Sequence, residues 1–486
     1  MKIYIYKYSK AILASITLLA VISCSDPWDE HTKNSDNNLN ENLAERLTSI
    51  SETSEFGKLL TETGYDRVLA NSKTYTVWVP TNDAIKEVSS NELSDLESKK
   101  IFVSNHIALT AFGSVSNQDT VIVQMLSNKN LEFIGGSVMD GSKVVTADQY
   151  TSNGLYHVVD DALIPRANIW EYINSIEGSN VMSAYLVSLN EFNIYQSDSI
   201  AKANAEVMPE LYADSLTNSY LNNVYNLNNE KNKYTFFLLD DDDFKTEVEK
   251  LEPYLLKSNS DSTKTYASYF ATRDYAFYKS VAKENLPDTL ISKFGVKVPI
   301  NKANIINEIH LSNGMLYVMG DMDVPLETRL LTTKIEGENP GGFSQGDKRA
   351  NTFYREKEDL GGVLFEDIMV QNHGVPLFSI YYGANDLYST KYEVYWRAIN
   401  DIQENTFQQR LSFGGVYNEL GEVIDPIATL DYIDVVPDVY DENYIGEFTL
   451  EEAGKLDIIS LIAANSGSNG VNTLTLDYIK LVPVIK

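Results

Sequence analysis

Two stretches of this chain repeat each other in outline. Asn153 to Pro165 reads NGLYHVVDDALIP, and Asn313 to Pro325 reads NGMLYVMGDMDVP. In each, Asn-Gly supplies the backbone angles of a tight turn. An apolar run of strand-forming residues follows. A proline, which has no amide hydrogen to give a ladder, closes the phrase. A second pair precedes the first. Tyr75 to Pro80 reads YTVWVP and runs into TNDAI; Tyr234 to Leu239 reads YTFFLL and runs into DDDDF. Both are apolar strands leading into polar residues able to cap a helix: Thr81, Asn82 and Asp83 in one, Asp240 to Asp243 in the other. The span from the strand-helix phrase to the Asn-Gly phrase is 78 residues in the first copy (75 to 153) and 79 in the second (234 to 313). Two phrases recurring in order at one internal spacing predict a duplicated domain.

The length of 486 residues admits about three domains of roughly 150 residues each. With 43% apolar residues, the chain has the material for folded cores rather than disorder. The N-terminus carries Lys2, Lys7 and Lys10, then an apolar stretch from Ala11 to Ile22, then Ser23-Cys24. That order describes a secretory signal, and the stretch is too short for the ~20 residues a membrane-spanning helix needs. Val21-Ile22-Ser23-Cys24 resembles the lipobox of bacterial lipoproteins. The resemblance implies lipidation of Cys24 and removal of residues 1–23. Cys24 is the single cysteine, so a thiol nucleophile or a disulfide elsewhere is excluded.

Removing three lysines with residues 1–23 takes the net charge from −30 to −33. Such a chain repels nucleic acid and anionic lipid surfaces. Its membrane attachment is therefore expected through acyl chains and not through a basic patch. The acids in SDPWDE (Asp26, Asp29, Glu30) resemble surface-export signals of some Gram-negative lipoproteins. Residues 24–42 read as a polar tether, spanning roughly 20–25 Å as a random coil.

Helical spacing begins at Leu43, Leu47 and Ile50 and continues through Phe56, Leu59 and Leu60, with Gly64 as a stop. VIVQML, LEFIGG and KVVTAD read as hairpin strands. Pro165 closes this first domain, residues 43–166. The second, residues 167–330, opens on Ile169, Tyr172, Ile173 and Ile176. Its distance from Met182 to Tyr234 is 52 residues, against 19 from Phe56 to Tyr75, so an insertion at about 195–233 is expected, reading as helical. It is either a surface elaboration or a docking arm.

YTVWVPTNDAI resembles the first signature of the fasciclin domain and NGLYHVVDDALIP its closing signature. Residues 43–165 carry this resemblance, and residues 168–325 carry a weaker form in which LLDDDD replaces the proline-threonine-asparagine turn. The family implies a β-sandwich with flanking helices and a role in adhesion or interaction, with no enzymology. A tyrosine-histidine pair linked to adhesion in some members corresponds here to Asn105-His106, which keeps only the histidine; a buried, structural His106 is expected.

After the Gly-rich EGENPGGFSQGDKRAN, helical periodicity fades. GGVLFEDIMV, VPLFSIYYG, KYEVYWRAI, FQQRLSFGGVY, TLDYIDVV, IGEFTLEEAGKLDIISLIAA and TLTLDYIKLVPV read as strands of an antiparallel sandwich or jelly roll, residues 340–486. In the last, Leu474, Leu476, Tyr478 and Lys480 are expected on one face and Thr475, Asp477, Ile479 and Leu481 on the other. The region resembles galactose-binding-type jelly rolls of carbohydrate-binding modules. The fold class expected is α+β: two tandem fasciclin-like domains followed by an all-β jelly roll.

Chemistry is sparse. There is no G-x-S-x-G elbow and no phosphate-binding glycine loop. The five histidines lack metal-ligand spacing, with His157 reading as a structural residue in a strand. Asp240 to Asp243 lacks the pattern of a calcium loop and reads as a helix start. No carboxylate pair is singled out for glycoside hydrolysis. Neither a metal, a cofactor nor a catalytic residue is expected. Sugar binding needs aromatic faces beside polar groups, and the jelly roll has a supply: Tyr381, Tyr382, Tyr388, Tyr392, Tyr395, Trp396 and Tyr417. On KYEVYWRAI, Tyr392, Val394 and Trp396 are expected inside and Glu393, Tyr395 and Arg397 outside. The binding candidates are Tyr381, Tyr388, Tyr395 and Arg397. The architecture resembles accessory lipoproteins of SusC/SusD-like uptake systems, which implies an outer-membrane, surface-exposed, non-catalytic subunit binding glycan or a partner protein. Adhesion or assembly through the fasciclin-like domains, and glycoside hydrolysis, are the alternatives.

Overall fold

The structure, a computed structural model, describes residues 37–71, 73–115, 119–192, 216–345, 349–418, 423–466 and 471–486. The signal, Cys24, most of the tether, and residues 193–215 of the insertion lie outside these. The chain forms two compact units. The first comprises the described residues up to Asn168 with the short segments Asn229–Lys231 and Leu311–Asn313. The second comprises the remainder.

In the first unit, helix Leu43–Ser49 opens on a capping box. Asn42 accepts from the amide of Glu45, and Glu45 reaches back to the amide of Asn42. Helix Ser54–Thr63 stops at Gly64, whose φ of 79° is left-handed. The helices bury Leu43, Leu47, Phe56 and Leu60. Strand Tyr75–Pro80 is buried along its whole length. It runs antiparallel to Ile107–Leu109 on one side and parallel to Gly154–Val159 on the other. The sheet continues through Ser142–Thr151, Val138–Met139 and Asn130–Ile134 to Thr120–Gln124.

Unbroken burial has a simple cause. Val77 and Val79 pack with Phe56, Leu60 and Phe102 on the helical side. Trp78, pointing the other way, packs with Val123, Phe133 and Met139. A strand covered on both faces reads as a continuous apolar run, not as an alternation. Truncating a side chain such as Trp78 to alanine costs about 3–5 kcal/mol.

The second unit repeats this centre. Tyr234–Leu239 is buried throughout, antiparallel to Ala276–Tyr278 and parallel to Gly314–Met319. Tyr234 faces Gly314, as Tyr75 faces Gly154. The repeated phrases are thus hydrogen-bonded neighbours in both copies, which is why their spacing is held. Thr81 caps Asn82–Lys86. Asp240 caps Asp241–Leu251 by accepting from the amide of Asp243, so the acidic run is a helix start. Asn190–Phe192, just before the expected insertion, pairs with Leu216–Asn218 inside it as a two-stranded ribbon, and a short helix, Ser219–Asn223, follows.

The C-terminal region belongs to the same compact unit as the second domain. Tyr388 Oη donates to the Arg329 carbonyl at 3.0 Å and accepts from the Leu331 amide at 3.1 Å. Arg273 reaches Asp386 at 3.0 Å while its guanidinium lies 3.7 Å from the centre of the Phe270 ring.

Among the described residues the jelly roll has three main sheets and a two-stranded ribbon, Val416–Tyr417 with Val423–Ile424. One orders Thr333–Glu336, Tyr478–Pro483, Lys391–Arg397 and Asn443–Thr449. A larger one runs from Gly342–Phe343 through Ser379–Leu387, Gly454–Ala463 and Phe407–Phe413, which pairs with both Ala428–Thr429 and Ile433–Val435. The third orders Thr352–Glu358, Leu364–Val370 and Leu474–Leu476.

Two expected strands are divided. IGEFTLEEAGKLDIISLIAA becomes Asn443–Thr449 and Gly454–Ala463, in different sheets. The closing segment breaks at Asp477, whose carboxylate accepts from Arg397 at 2.8 Å and whose amide donates to the Arg397 carbonyl. Leu474, Thr475 and Leu476 are all buried before the break, and Ile479 and Leu481 after it. The single alternation expected across Asp477 is therefore incorrect, because the chain changes sheets there.

Candidate functional site

A cleft of about 470 Å³ lies over the face of the larger sheet. That volume is within the ~300–1,000 Å³ usual for ligand sites. Its floor follows from strand alternation. Along Phe407–Phe413, Phe407, Gln409, Leu411 and Phe413 are buried in the core, which leaves Arg410 and Ser412 on the cleft side. The strand Gly454–Ala463 contributes Ser460 and Ile462 in the same way, and Ser379–Leu387 contributes Ser379 and Tyr381.

Sheet register lines these residues up. Tyr381, Ser460, Ser412 and Thr429 form one cross-strand row, each paired with the next. Ser379, Ile462 and Arg410 form the row beside it. Val375, Pro376, Leu377, Ile424 and Pro426 supply apolar lining. The Tyr381 ring meets the Tyr417 ring edge-on, centroids 5.5 Å apart.

The polar floor is only partly satisfied. Ser412 Oγ lies 2.9 Å from Thr429 Oγ1 and 3.3 Å from the Ala428 carbonyl. Ser460 is 2% exposed, yet its Oγ has no hydrogen-bond partner. Arg410 Nε is likewise buried without a partner. Buried polar atoms of this kind cost about 1–3 kcal/mol each when left unpaired, so two unpartnered polar atoms in one floor call for an explanation.

The sequence candidates do not converge. Tyr381, itself buried at 8% exposure, lines the cleft. Tyr388 is 3% exposed and its hydroxyl is engaged by Arg329 and Leu331, so it is a core residue and not a binding one. Burial raises the pKa of its hydroxyl. Tyr395 and Arg397 belong to the other, four-stranded sheet. They do face outward as expected, with Tyr392, Val394 and Trp396 inside. Tyr395 donates to Glu393 at 3.0 Å, which raises its pKa, and packs edge-on to Tyr444. Arg397 is held by Asp477 at 2.8 Å, Asp359 at 3.0 Å and the Tyr440 carbonyl at 2.8 Å. Its donors are occupied, and it ties sheet edges together rather than awaiting a ligand. Cys24 lies outside the described residues.

Sequence reasoning missed Arg410, Ser412 and Ser460. The available signal was the polar step R-x-S on a strand whose other face is apolar, together with a lone serine inside IISLIA. Nothing local distinguishes such a face from an ordinary solvated one.

The histidines of the first unit are structural. His106 is fully buried. Its Nδ1 donates to the Phe102 carbonyl at 2.8 Å, and its Nε2 accepts from the Leu163 amide at 2.9 Å. Burial lowers its pKa to about 4. His157 contacts the Phe112 carbonyl at 2.8 Å and accepts from the Asp148 amide at 3.2 Å. Among the described residues, no three histidine, cysteine or carboxylate side chains converge on a position that could hold a metal ion.

Residues 51–165 match the family model of the Fasciclin domain. No curated protein matches the chain. Among solved structures, the chain is similar to a fasciclin domain pair from the insect cell adhesion molecule fasciclin I. That likeness has 17% identity and a TM-score of 0.23, and covers 58% of this chain and 99% of the other. A family 35 carbohydrate-binding module from Clostridium thermocellum is similar at 15% identity and a TM-score of 0.20, covering 32% of this chain and 99% of the module. A Podospora anserina β-(1,4)-mannanase bearing such a module is similar at 13% identity and a TM-score of 0.22, covering 32% of this chain but 28% of the enzyme. The family match and the strand pairing together give an α+β architecture, with a fasciclin domain at residues 51–165, a second domain built on the same strand register, and a C-terminal all-β jelly roll.

Proposed function

We propose that this chain is a non-catalytic binding protein whose jelly-roll cleft holds a glycan. The observation that carries this reading is the cross-strand row of Tyr381, Ser460, Ser412 and Thr429. It sets an aromatic ring beside a line of hydroxyl groups, one of them buried and unpartnered. Aromatic faces take the apolar faces of sugar rings, and the hydroxyls take theirs. The lipobox-like VISC and the acidic residues after it support display of the protein on the outer membrane through lipidated Cys24. In this reading the chain serves as an accessory subunit of a SusC/SusD-like uptake complex, delivering glycan to a transporter.

The test is affinity electrophoresis of the full chain in detergent through gels containing a panel of plant, algal and microbial polysaccharides. Retardation by at least one member, abolished by Tyr381→Ala, is the expected result. Migration unchanged across the whole panel would exclude the cleft as a glycan site. The transporter association is tested separately, by gentle detergent extraction from native membranes and mass spectrometry of what co-purifies. Recovery of this chain alone would remove the uptake role.

A further inference from the structure

Arg410 stands out in a chain of net charge −30. Of the residues lining the cleft, Arg410 alone carries a charge among those described, and neither Asp nor Glu lines it. Two other arginines in the jelly roll are neutralised: Arg355 by Asp367 and Asp401, Arg397 by Asp359 and Asp477. Among the described residues the Arg410 side chain has neither an ion pair nor a protein hydrogen bond. Its guanidinium lies 4.4 Å from the centre of the Tyr432 ring, which fixes the plane of the group without using its donors. Nε is buried and unpartnered.

A partly buried guanidinium left without a counter-ion is costly unless something completes it. An arginine fork matches a planar carboxylate or a sulfate through two parallel N–H donors. We infer that the cleft selects an acidic glycan, with the anionic substituent of one sugar, a carboxylate or a sulfate, seated on Arg410 and the ring of the bound sugar stacked on Tyr381. This deepens the glycan-binding reading and rests on it. The overall negative charge of the protein does not oppose it at contact range, because at physiological salt the field of distant exposed acids is screened beyond about 8 Å.

Calorimetric titration of the full chain in detergent tests this with three probes: trigalacturonate, its carboxyl-reduced galactose counterpart, and a sulfated galactobiose. Trigalacturonate is expected to bind at least about tenfold more tightly than the reduced form. That preference should weaken as sodium chloride is raised. Arg410→Gln should abolish the preference, bringing trigalacturonate down to the affinity of the reduced form in the same variant. Tighter binding of the sulfated probe than of trigalacturonate, also lost in Arg410→Gln, would identify sulfate as the substituent and support the same site.

Equal binding of acidic and reduced sugars, with both lost in Tyr381→Ala, would overturn the acidic preference and leave the glycan cleft standing. An acid preference that survives Arg410→Gln would overturn the assignment of the charge to this residue. Failure of all three probes, together with failure of the polysaccharide panel, would overturn both readings.

Discussion

Gly314 lies directly opposite Tyr234 across a parallel strand pair, in the register that places Gly154 opposite Tyr75. A methyl group on Gly314 would stand 1.9 Å from the Tyr234 carbonyl oxygen, and one on Gly154 2.2 Å from that of Tyr75. Both glycines have positive φ, 149° and 159°. The Asn-Gly of the repeated phrase therefore does more than turn the chain. It lets two backbones meet at the point where each copy is centred.

Replacing either glycine with alanine should lower stability by about 3 kcal/mol, since both crowding and backbone strain oppose the new side chain. Gly64→Ala supplies the comparison. Gly64 is left-handed but has open space around its Cβ position, so about 1 kcal/mol is expected there. Urea unfolding of Gly154→Ala and Gly64→Ala, followed by tryptophan fluorescence, checks the ordering. Equal losses would mean that the close approach carries no weight.

His106 makes the first unit sensitive to acid. The unfolded chain takes a proton on this imidazole below about pH 6.5, whereas burial holds the folded pKa to about 4. Stability from this residue is thus full above pH 6.5 and is lost as pH falls from there toward 4, by up to about 3 kcal/mol. His106→Gln should be less stable at pH 7 and should show a flatter decline across that window. Urea midpoints at pH 7, 5.5 and 4.5 for both proteins measure it; parallel declines would refute the assignment.

Tyr388→Phe should lose about 1–2 kcal/mol, because the Arg329 carbonyl and the Leu331 amide lose a shared partner. Glycan retardation should be unaffected. A variant that keeps its stability but loses retardation would restore Tyr388 to the list of binding residues.

Cys24→Ala should release the protein from the membrane fraction and abolish incorporation of labelled palmitate. Continued membrane association with no label would point to an anchor other than an acyl chain.

Much of the architecture was legible because its signals are local. Thr81 and Asp240 announce helix starts after apolar strands, and the fixed interval between phrases announces a duplicated domain, although not the parallel pairing that holds the interval. The jelly roll was legible as a set of strands and not as a pairing scheme. Asp477 illustrates why: a single alternation runs through it on paper, but the chain changes sheets there, at a residue ion-paired to Arg397 80 positions away, which no local pattern signals. The site was legible least. Tyr388 and Tyr381 are close in sequence and equally aromatic, yet one is covered by the second domain and the other lines a cleft. Arg410 reads as a solvated charge until the loop at Val375–Leu377 and the residues Ile424 and Pro426 are seen to wall it in.

The crossover at Asp477 also has a mechanical consequence. One continuous segment of backbone is shared by two sheets, so load applied to either layer passes directly into the other through a single peptide link. The jelly roll should resist shear between its layers and yield as a block.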